Sequence, residues 1–285
     1  MNRRAIELYD DYTHGGSSRR EFLQALARIA GSTAAAAALL PLLENRYAQA
    51  AIVSPDDPAL KTSRAGFDGP SGPVACYIAR PARRPNRRPA VILIHENRGL
   101  NVHIEDVARR LAAAGFLAIA PDALSASGGT PPDEDLARQR ISALDSEATL
   151  GLYLAAVHHA AGHEYGNGKV GCVGFCWGGG MSGGLAAHST ELSAAVVFYG
   201  MPPSAEEAAR VRAPLLLHYA GRDTRINEAV PAFESALEAA GRRYELHMYA
   251  DVDHAFHNDS NAARYNADAA ALAWRRTIEF LLREL

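Results

Sequence analysis

The sequence predicts an α/β domain in which a mainly parallel sheet carries helices on both faces. From about residue 67 onward, short apolar, β-branched runs alternate with longer helical patterns, the order in which parallel strands and covering helices follow one another. Two of the runs, Val91-Ile92-Leu93-Ile94 and Leu215-Leu216-Leu217, are continuously apolar, as strands buried on both faces are. A chain of 285 residues with 48% apolar content is long enough for one such domain with a substantial core.

Residues 1–50 differ in composition from the rest. Ser18-Arg19-Arg20-Glu21-Phe22-Leu23 has the form of a twin-arginine export motif, an alanine-rich apolar stretch runs to about Leu43, and Ala48-Gln49-Ala50 has the small-residue pattern of a cleavage site. The expectation is a signal peptide cut after Ala50, with a soluble periplasmic product and a cytoplasmic one if export does not occur. The alternative for the same residues is an amphipathic helix capped by Ser17 or Ser18, which Arg28 inside the apolar stretch favours. With Arg28 at one end and Pro41 and Glu44 at the other, the stretch is too short and too polar for a permanent membrane anchor. Residues 51–66 are expected to be a linker, and 67–285 the α/β domain.

Within that domain the predicted strands are Val74–Ile78, Val91–His95, Leu117–Ala120, Lys169–Phe175, Ala194–Tyr199, Leu215–Tyr219 and Glu245–Tyr249. The predicted helices are Ile104–Ala114, Asp133–Ala143, Glu147–His163, Gly178–His188, Ala205–Val211, Glu228–Ala240 and Ala262–Arg283. A net charge of −3, with both signs interspersed, gives no electrostatic grip on nucleic acid. The densest basic stretch, residues 81–89, is punctuated by proline and reads as a solvated turn. Three cysteines, Cys76, Cys172 and Cys176, are too few for a disulfide framework and lack paired CxxC spacing.

Loops at the carboxyl ends of parallel strands converge on one crevice, so reactive residues belong directly after the apolar runs. Glu96, Cys176, Asp223 and His254 occupy such positions. Gly174-Phe175-Cys176-Trp177-Gly178 has the steric logic of a nucleophile elbow, with glycines flanking a residue forced into a tight strand-to-helix turn. The dipole of the following helix favours a thiolate at Cys176, whereas Cys172 lies inside the strand and reads as a structural residue. A thiolate nucleophile needs a histidine to accept and return protons and a carboxylate to orient it, which His254 and Asp223 supply in the chain order Cys, Asp, His. Asp251 and Asp253 are rival carboxylates. Asp251, Asp253, His254 and His257 also form a dense donor cluster open to a metal reading, although without a recognised ligand spacing.

With these residues in view, the chain resembles the dienelactone hydrolase family, carboxymethylenebutenolidase-like enzymes of the α/β-hydrolase fold. The resemblance is carried by His95-Glu96-Asn97-Arg98-Gly99-Leu100-Asn101, Ala120-Pro121-Asp122, Lys169-Val170-Gly171, Gly174 to Gly179, Phe198-Tyr199-Gly200, Gly221-Arg222-Asp223 and His254-Ala255-Phe256. It implies a cysteine nucleophile at Cys176, with His254 as base and Asp223 as its orienting acid. It further implies that Glu96 contacts the resting thiol and that the backbone amides of Asn97 and Trp177 form the oxyanion hole. The implied reaction is hydrolysis of a small ester or lactone through a thioester acyl-enzyme, without a cofactor or metal. The family's two carboxylate-binding arginines have no counterpart in Ala123-Leu-Ser-Ala-Ser127 or Ala255-Phe-His-Asn258. Arg98, Arg225 and Tyr199 are the candidate substrate contacts in their place. A broader carboxylesterase or acyl-transfer enzyme on the same triad, and a non-catalytic or redox-sensing thiol protein, remain as alternatives.

Overall fold

The computed structural model describes residues 3–45, 51–83 and 87–285. The expected cleavage site at residues 48–50 and the centre of the basic turn at residues 84–86 lie outside the described residues.

Among the described residues, eight strands form one sheet: β1 Leu60–Gly69, β2 Gly72–Pro81, β3 Arg88–Ile94, β4 Leu117–Pro121, β5 Gly166–Phe175, β6 Leu192–Phe198, β7 Leu215–Ala220 and β8 Tyr244–Tyr249. Their spatial order is β1-β2-β4-β3-β5-β6-β7-β8. β1 and β2 form an antiparallel hairpin whose second strand joins β4 antiparallel, and all pairings from β4 to β8 are parallel. The predicted strands are all present. The expected linker is not a linker throughout, because β1 occupies most of its second half. Along β1 only Leu60 and Phe67 are buried, so this edge strand has none of the apolar alternation that marks a strand in sequence.

Of the helices, α4 Val102–Ala113 and α11 Ala267–Glu284 cover one face of the sheet. The other face is covered by α6 Ser146–Gly162, α7 Trp177–His188 and α10 Val230–Ala239, with α5 Glu134–Ser142 and the single turns α8 Ala205–Ala208 and α9 Thr224–Asn227 alongside. Along β3 the two cores alternate, Val91 and Leu93 facing one and Ile92 and Ile94 the other. This is why the strand reads as an unbroken apolar run. The expected final helix starts five residues later than the periodicity suggests, at Ala267, and the side chain of the preceding Asn266 accepts from the Ala269 amide and caps it.

The N-terminal residues form three further helices, α1 Arg3–Thr13, α2 Arg19–Ala30 and α3 Thr33–Leu43. Ser18 and Glu21 of the arginine-pair motif make a reciprocal capping box at the start of α2, the arrangement expected under the amphipathic-helix alternative. Tyr9, Tyr12, Phe22 and Leu26 are buried in a separate apolar cluster, with the Tyr12 and Phe22 rings stacked at 4.6 Å. Among the described residues no single helix is long and apolar enough to cross a membrane. α2 and α3 reach the required length only together, and they are bent by 110° at the break between them.

Candidate active site

The sheet changes direction of winding between β3 and β5, where a crevice opens at the carboxyl ends of the strands. Cys176 stands there, between β5 and α7, at φ 55° and ψ −116°. Few non-glycine residues tolerate this backbone, and it aims the side chain into the crevice. Its neighbours have to be glycine: a Cβ on Gly174 would lie 1.9 Å from the Gly178 carbonyl oxygen, and one on Gly178 would lie 2.4 Å from that of His95. The Cys176 amide donates to the Phe198 carbonyl at 3.0 Å, tying the elbow to the end of β6.

His254, in the loop between β8 and α11, directs Nδ1 at Asp223 Oδ2, 2.5 Å away. Asp223 is the last residue before α9, so the carboxylate comes from the loop after β7 as the chain order suggests. The rivals point elsewhere, Asp251 and Asp253 both pairing with Arg222 at 3.2 and 3.8 Å. Burial disfavours an ionised Asp223, but the neighbouring His254 outweighs it and holds the carboxyl below its usual range. Burial likewise opposes a charged His254, and Asp223 foremost, with Cys176 and Asp10, raises it well above an ordinary imidazole.

The thiol itself has a partner that is absent from the sequence reading. His14, just past the end of α1, places Nε2 3.3 Å from Cys176 Sγ, and its ring meets that of His254 edge-on with centroids 4.6 Å apart. Burial pushes the Cys176 thiol up, yet His254 foremost, with the adjoining His14 and its hydrogen bond to the sulfur, brings it down to about 6. No property of the strand ends could have pointed to His14. The available signal lay in α1, where Tyr9 and Tyr12 mark an apolar stripe that seats the helix end on the body of the protein.

The other expected residues fall into two groups. Asn97 and Trp177 lie beside the sulfur. The Trp177 amide opens α7 and so has no acceptor within the helix, the Asn97 amide donates to no acceptor among the described residues, and the Trp177 ring stacks on His95. Tyr199 is buried with its ring 5.0 Å from that of His254, and Arg225 is exposed at the cavity edge. Glu96 and Arg98 are engaged elsewhere. Glu96 Oε2 accepts from the Asn258 amide at 2.7 Å rather than meeting the thiol. Arg98 is buried against Glu134 and the Tyr9 hydroxyl, which leaves it turned away from the cavity as a clamp. Nor do the four residues of the expected donor cluster converge: Asp251 is exposed, and His257 is buried and stacked on Phe175. The donor atoms that do lie within 4.8 Å of one another are those of His14, Cys176 and His254.

These groups face a cavity of about 1140 Å³. Its walls include Ile141, Leu150, Leu154 and Met181 on one side and Tyr12 and Thr13 of α1 on the other. Such a mostly apolar enclosure with a few convergent polar atoms is typical of a small-molecule site.

Residues 74–285 match the family model of the dienelactone hydrolase family. The chain belongs to the dienelactone hydrolase family. It is 33% identical over 244 residues to a protein of Escherichia coli K12 named "Putative carboxymethylenebutenolidase", a match covering 80% of this chain and 89% of that one. A solved Klebsiella pneumoniae structure described as a "Putative Dienelactone Hydrolase" superimposes with a TM-score of 0.72 at 30% identity, over 78% of this chain and 98% of that one. This dienelactone hydrolase family member is therefore an α/β-hydrolase acting on ester or lactone bonds of a small molecule. Residues 1–32 match a second family model, described as YqhI-like. Brefeldin A esterase, a bacterial homologue of human hormone sensitive lipase, shares the fold at a TM-score of 0.63 and 15% identity, over 99% of this chain and 92% of that one. That span takes in the N-terminal helices as well as the sheet.

Proposed function

We propose that Cys176 is the nucleophile and that the reaction passes through a thioester. Its sulfur attacks the carbonyl carbon of the ester or lactone, and the amides of Asn97 and Trp177 receive the charge that develops on oxygen. His254, oriented by Asp223, moves protons, and water releases the acid. The observation that carries this reading is the Cys176 sulfur standing on a strained elbow at the cavity wall, beside a histidine whose far nitrogen is held by a carboxylate.

The cavity also bears on the substrate. Its apolar walls and the engagement of Arg98 with Glu134 and Tyr9 favour an uncharged ester or lactone with an apolar acyl or alcohol group over an acidic lactone, whose carboxylate would fall to the exposed Arg225 at the cavity edge rather than to a buried bidentate clamp. Mass spectrometry of protein quenched during turnover of an activated aryl ester tests the covalent step. An acyl group is expected on the peptide containing Cys176. Full turnover by Cys176→Ala, without any adduct, would overturn the reading. Paired assays of neutral and carboxylate-bearing lactones test the substrate class, with the neutral compounds expected to give the higher kcat/KM.

A further inference from the structure

We propose that His14, supplied by the N-terminal helices, is a second catalytic histidine that takes the proton from Cys176, so that the active enzyme retains this segment. The inference rests on Cys176 being the nucleophile and divides the proton transfers between two imidazoles.

The geometry selects which nitrogen of each neutral ring carries hydrogen. His14 Nδ1 lies 2.7 Å from the Asp10 carbonyl oxygen. A carbonyl can only accept, so Nδ1 carries hydrogen, and in the neutral ring Nε2 presents its lone pair to the thiol 3.3 Å away. The same logic applies to His254, whose Nδ1 faces the Asp223 carboxylate and whose buried Nε2 has no hydrogen-bond partner among the described residues. The Nε2 atoms of two rings therefore converge on one sulfur, and the sulfur's hydrogen bond goes to His14.

The placement of His14 is built rather than incidental. Arg264 donates to Asp10 Oδ1 at 2.9 Å, and Arg98 donates to the Tyr9 hydroxyl at 3.1 Å. The Asn97 side-chain amide donates to the Thr13 carbonyl at 2.8 Å, and Arg138 reaches the Tyr12 carbonyl. Tyr12 itself donates to Asp135 at 2.7 Å. These partners belong to the loops after β3 and β8 and to α5, so the α/β body grips α1 on several sides of the histidine. Asp10 acts as a positioning residue. Arg19 and Phe22 of the arginine-pair motif are folded into the same structure, Arg19 paired to Asp135 and Phe22 buried. Removal of residues 1–50 would take away His14, one wall of the cavity and the acceptors of three body arginines.

Transfer of the Sγ proton to His14 Nε2 precedes attack; in acylation the sulfur pair then forms the C–S bond while the carbonyl π pair moves onto oxygen. Re-formation of the carbonyl breaks the bond to the leaving alkoxide, which takes the proton from His14. In deacylation water adds to the thioester and gives one proton to His254 Nε2. Collapse then breaks the C–S bond, and the departing thiolate recovers that proton. The groups able to bias these transfers are Asp10 beside His14, Asp223 and Arg225 from the loop after β7, Glu96 after β3, Tyr199 after β6, and Arg264 before α11.

The test is stopped-flow kinetics of the full-length protein with p-nitrophenyl acetate, comparing wild type, His14→Ala, His14→Gln and Cys176→Ala. Both His14 variants should slow the acylation burst by about 10²-fold, the range for loss of a general base, leave deacylation within about twofold, and shift the pH midpoint of iodoacetamide alkylation upward. Equal slowing of both phases, or rescue by His14→Gln, indicates a packing role and overturns the proposal. So does wild-type acylation in both variants, or purified enzyme of full activity whose first residue is Ala51. A burst that survives in Cys176→Ala would instead remove the nucleophile assignment on which the proposal stands.

Discussion

Cys172 and Cys176 lie four residues apart, one inside β5 and the other on the turn that ends it, and both are buried. Their thiols have been driven in opposite directions. In the strand, Cys172 Sγ meets the Ser182 hydroxyl at 3.0 Å and that residue's carbonyl at 4.0 Å, and burial among apolar side chains pushes it up to about 12 against weak opposing hydrogen bonds to Ser182 and the Val196 backbone. On the elbow, burial acts in the same sense but is overcome by two imidazoles, and Cys176 falls to about 6. Desolvation alone makes a cysteine inert. What makes one reactive is desolvation together with imidazoles held in place by their own partners.

The sharpest break in this comparison is functional. Cys176→Ala should lower kcat/KM for an aryl ester by about 10³-fold or more, whereas Cys172→Ala should leave it within about twofold. An equal loss in both variants would mean that strand and elbow do not act as separate environments. Next in size is Asp223→Asn, which keeps the shape but removes the charge that raises His254. A fall in kcat of about 10²-fold is expected, with KM little changed because Asp223 does not line the main cavity. A rise in KM at constant kcat would place Asp223 in substrate binding instead.

The α/β body was largely legible because its signals are local. Continuous apolar runs mark the buried strands, Gly174 and Gly178 mark the close approach of β5, α7 and β3, and the proposed catalytic residues sit at strand ends, where the topology opens a crevice. β1 escaped because an edge strand with two buried residues has no pattern to read. The contacts of Glu96 and Arg98 were not legible either, since each depends on a partner far along the chain, Asn258 for one and Glu134 with Tyr9 for the other. His14 is the extreme case. It reaches the sulfur across 162 residues, from a stretch whose paired arginines and alanine run look alike whether they form a leader or a helical hairpin.

A smaller effect, in pH units rather than orders of magnitude of rate, concerns alkylation. The thiolate is the reactive form, and the Cys176 value lies below that of an ordinary thiol. Its alkylation by iodoacetamide should therefore be complete at neutral pH and be lost as pH falls through about 6. Cys172 should remain unmodified across the same range, since its thiolate forms only near pH 12 and the strand would have to open first. Peptide mapping after a brief pulse at each pH separates the two. A common midpoint for both cysteines would show that neither environment survives in solution.

The smallest expected effect is on stability, and it falls on the cysteine outside the proposed mechanism. Cys172→Ala removes a buried sulfur and leaves a space that the close-packed strand cannot fill. Ser182 keeps a partner after the change, because its hydroxyl also donates to the Val196 carbonyl at 3.0 Å, so no polar group is orphaned. The cost should be about 1–2 kcal/mol, equivalent to a fall in Tm of a few degrees for a domain of this size. Calorimetry of wild type, Cys172→Ala and Cys176→Ala measures it. Cys176→Ala should lose less, because the elbow sulfur faces a cavity rather than packed side chains and the substitution leaves His254 and His14 room to relax. A larger stability loss at Cys176 than at Cys172 would mean that the elbow's charge network contributes more to folding than strand packing does, reversing the division of labour between the two thiols.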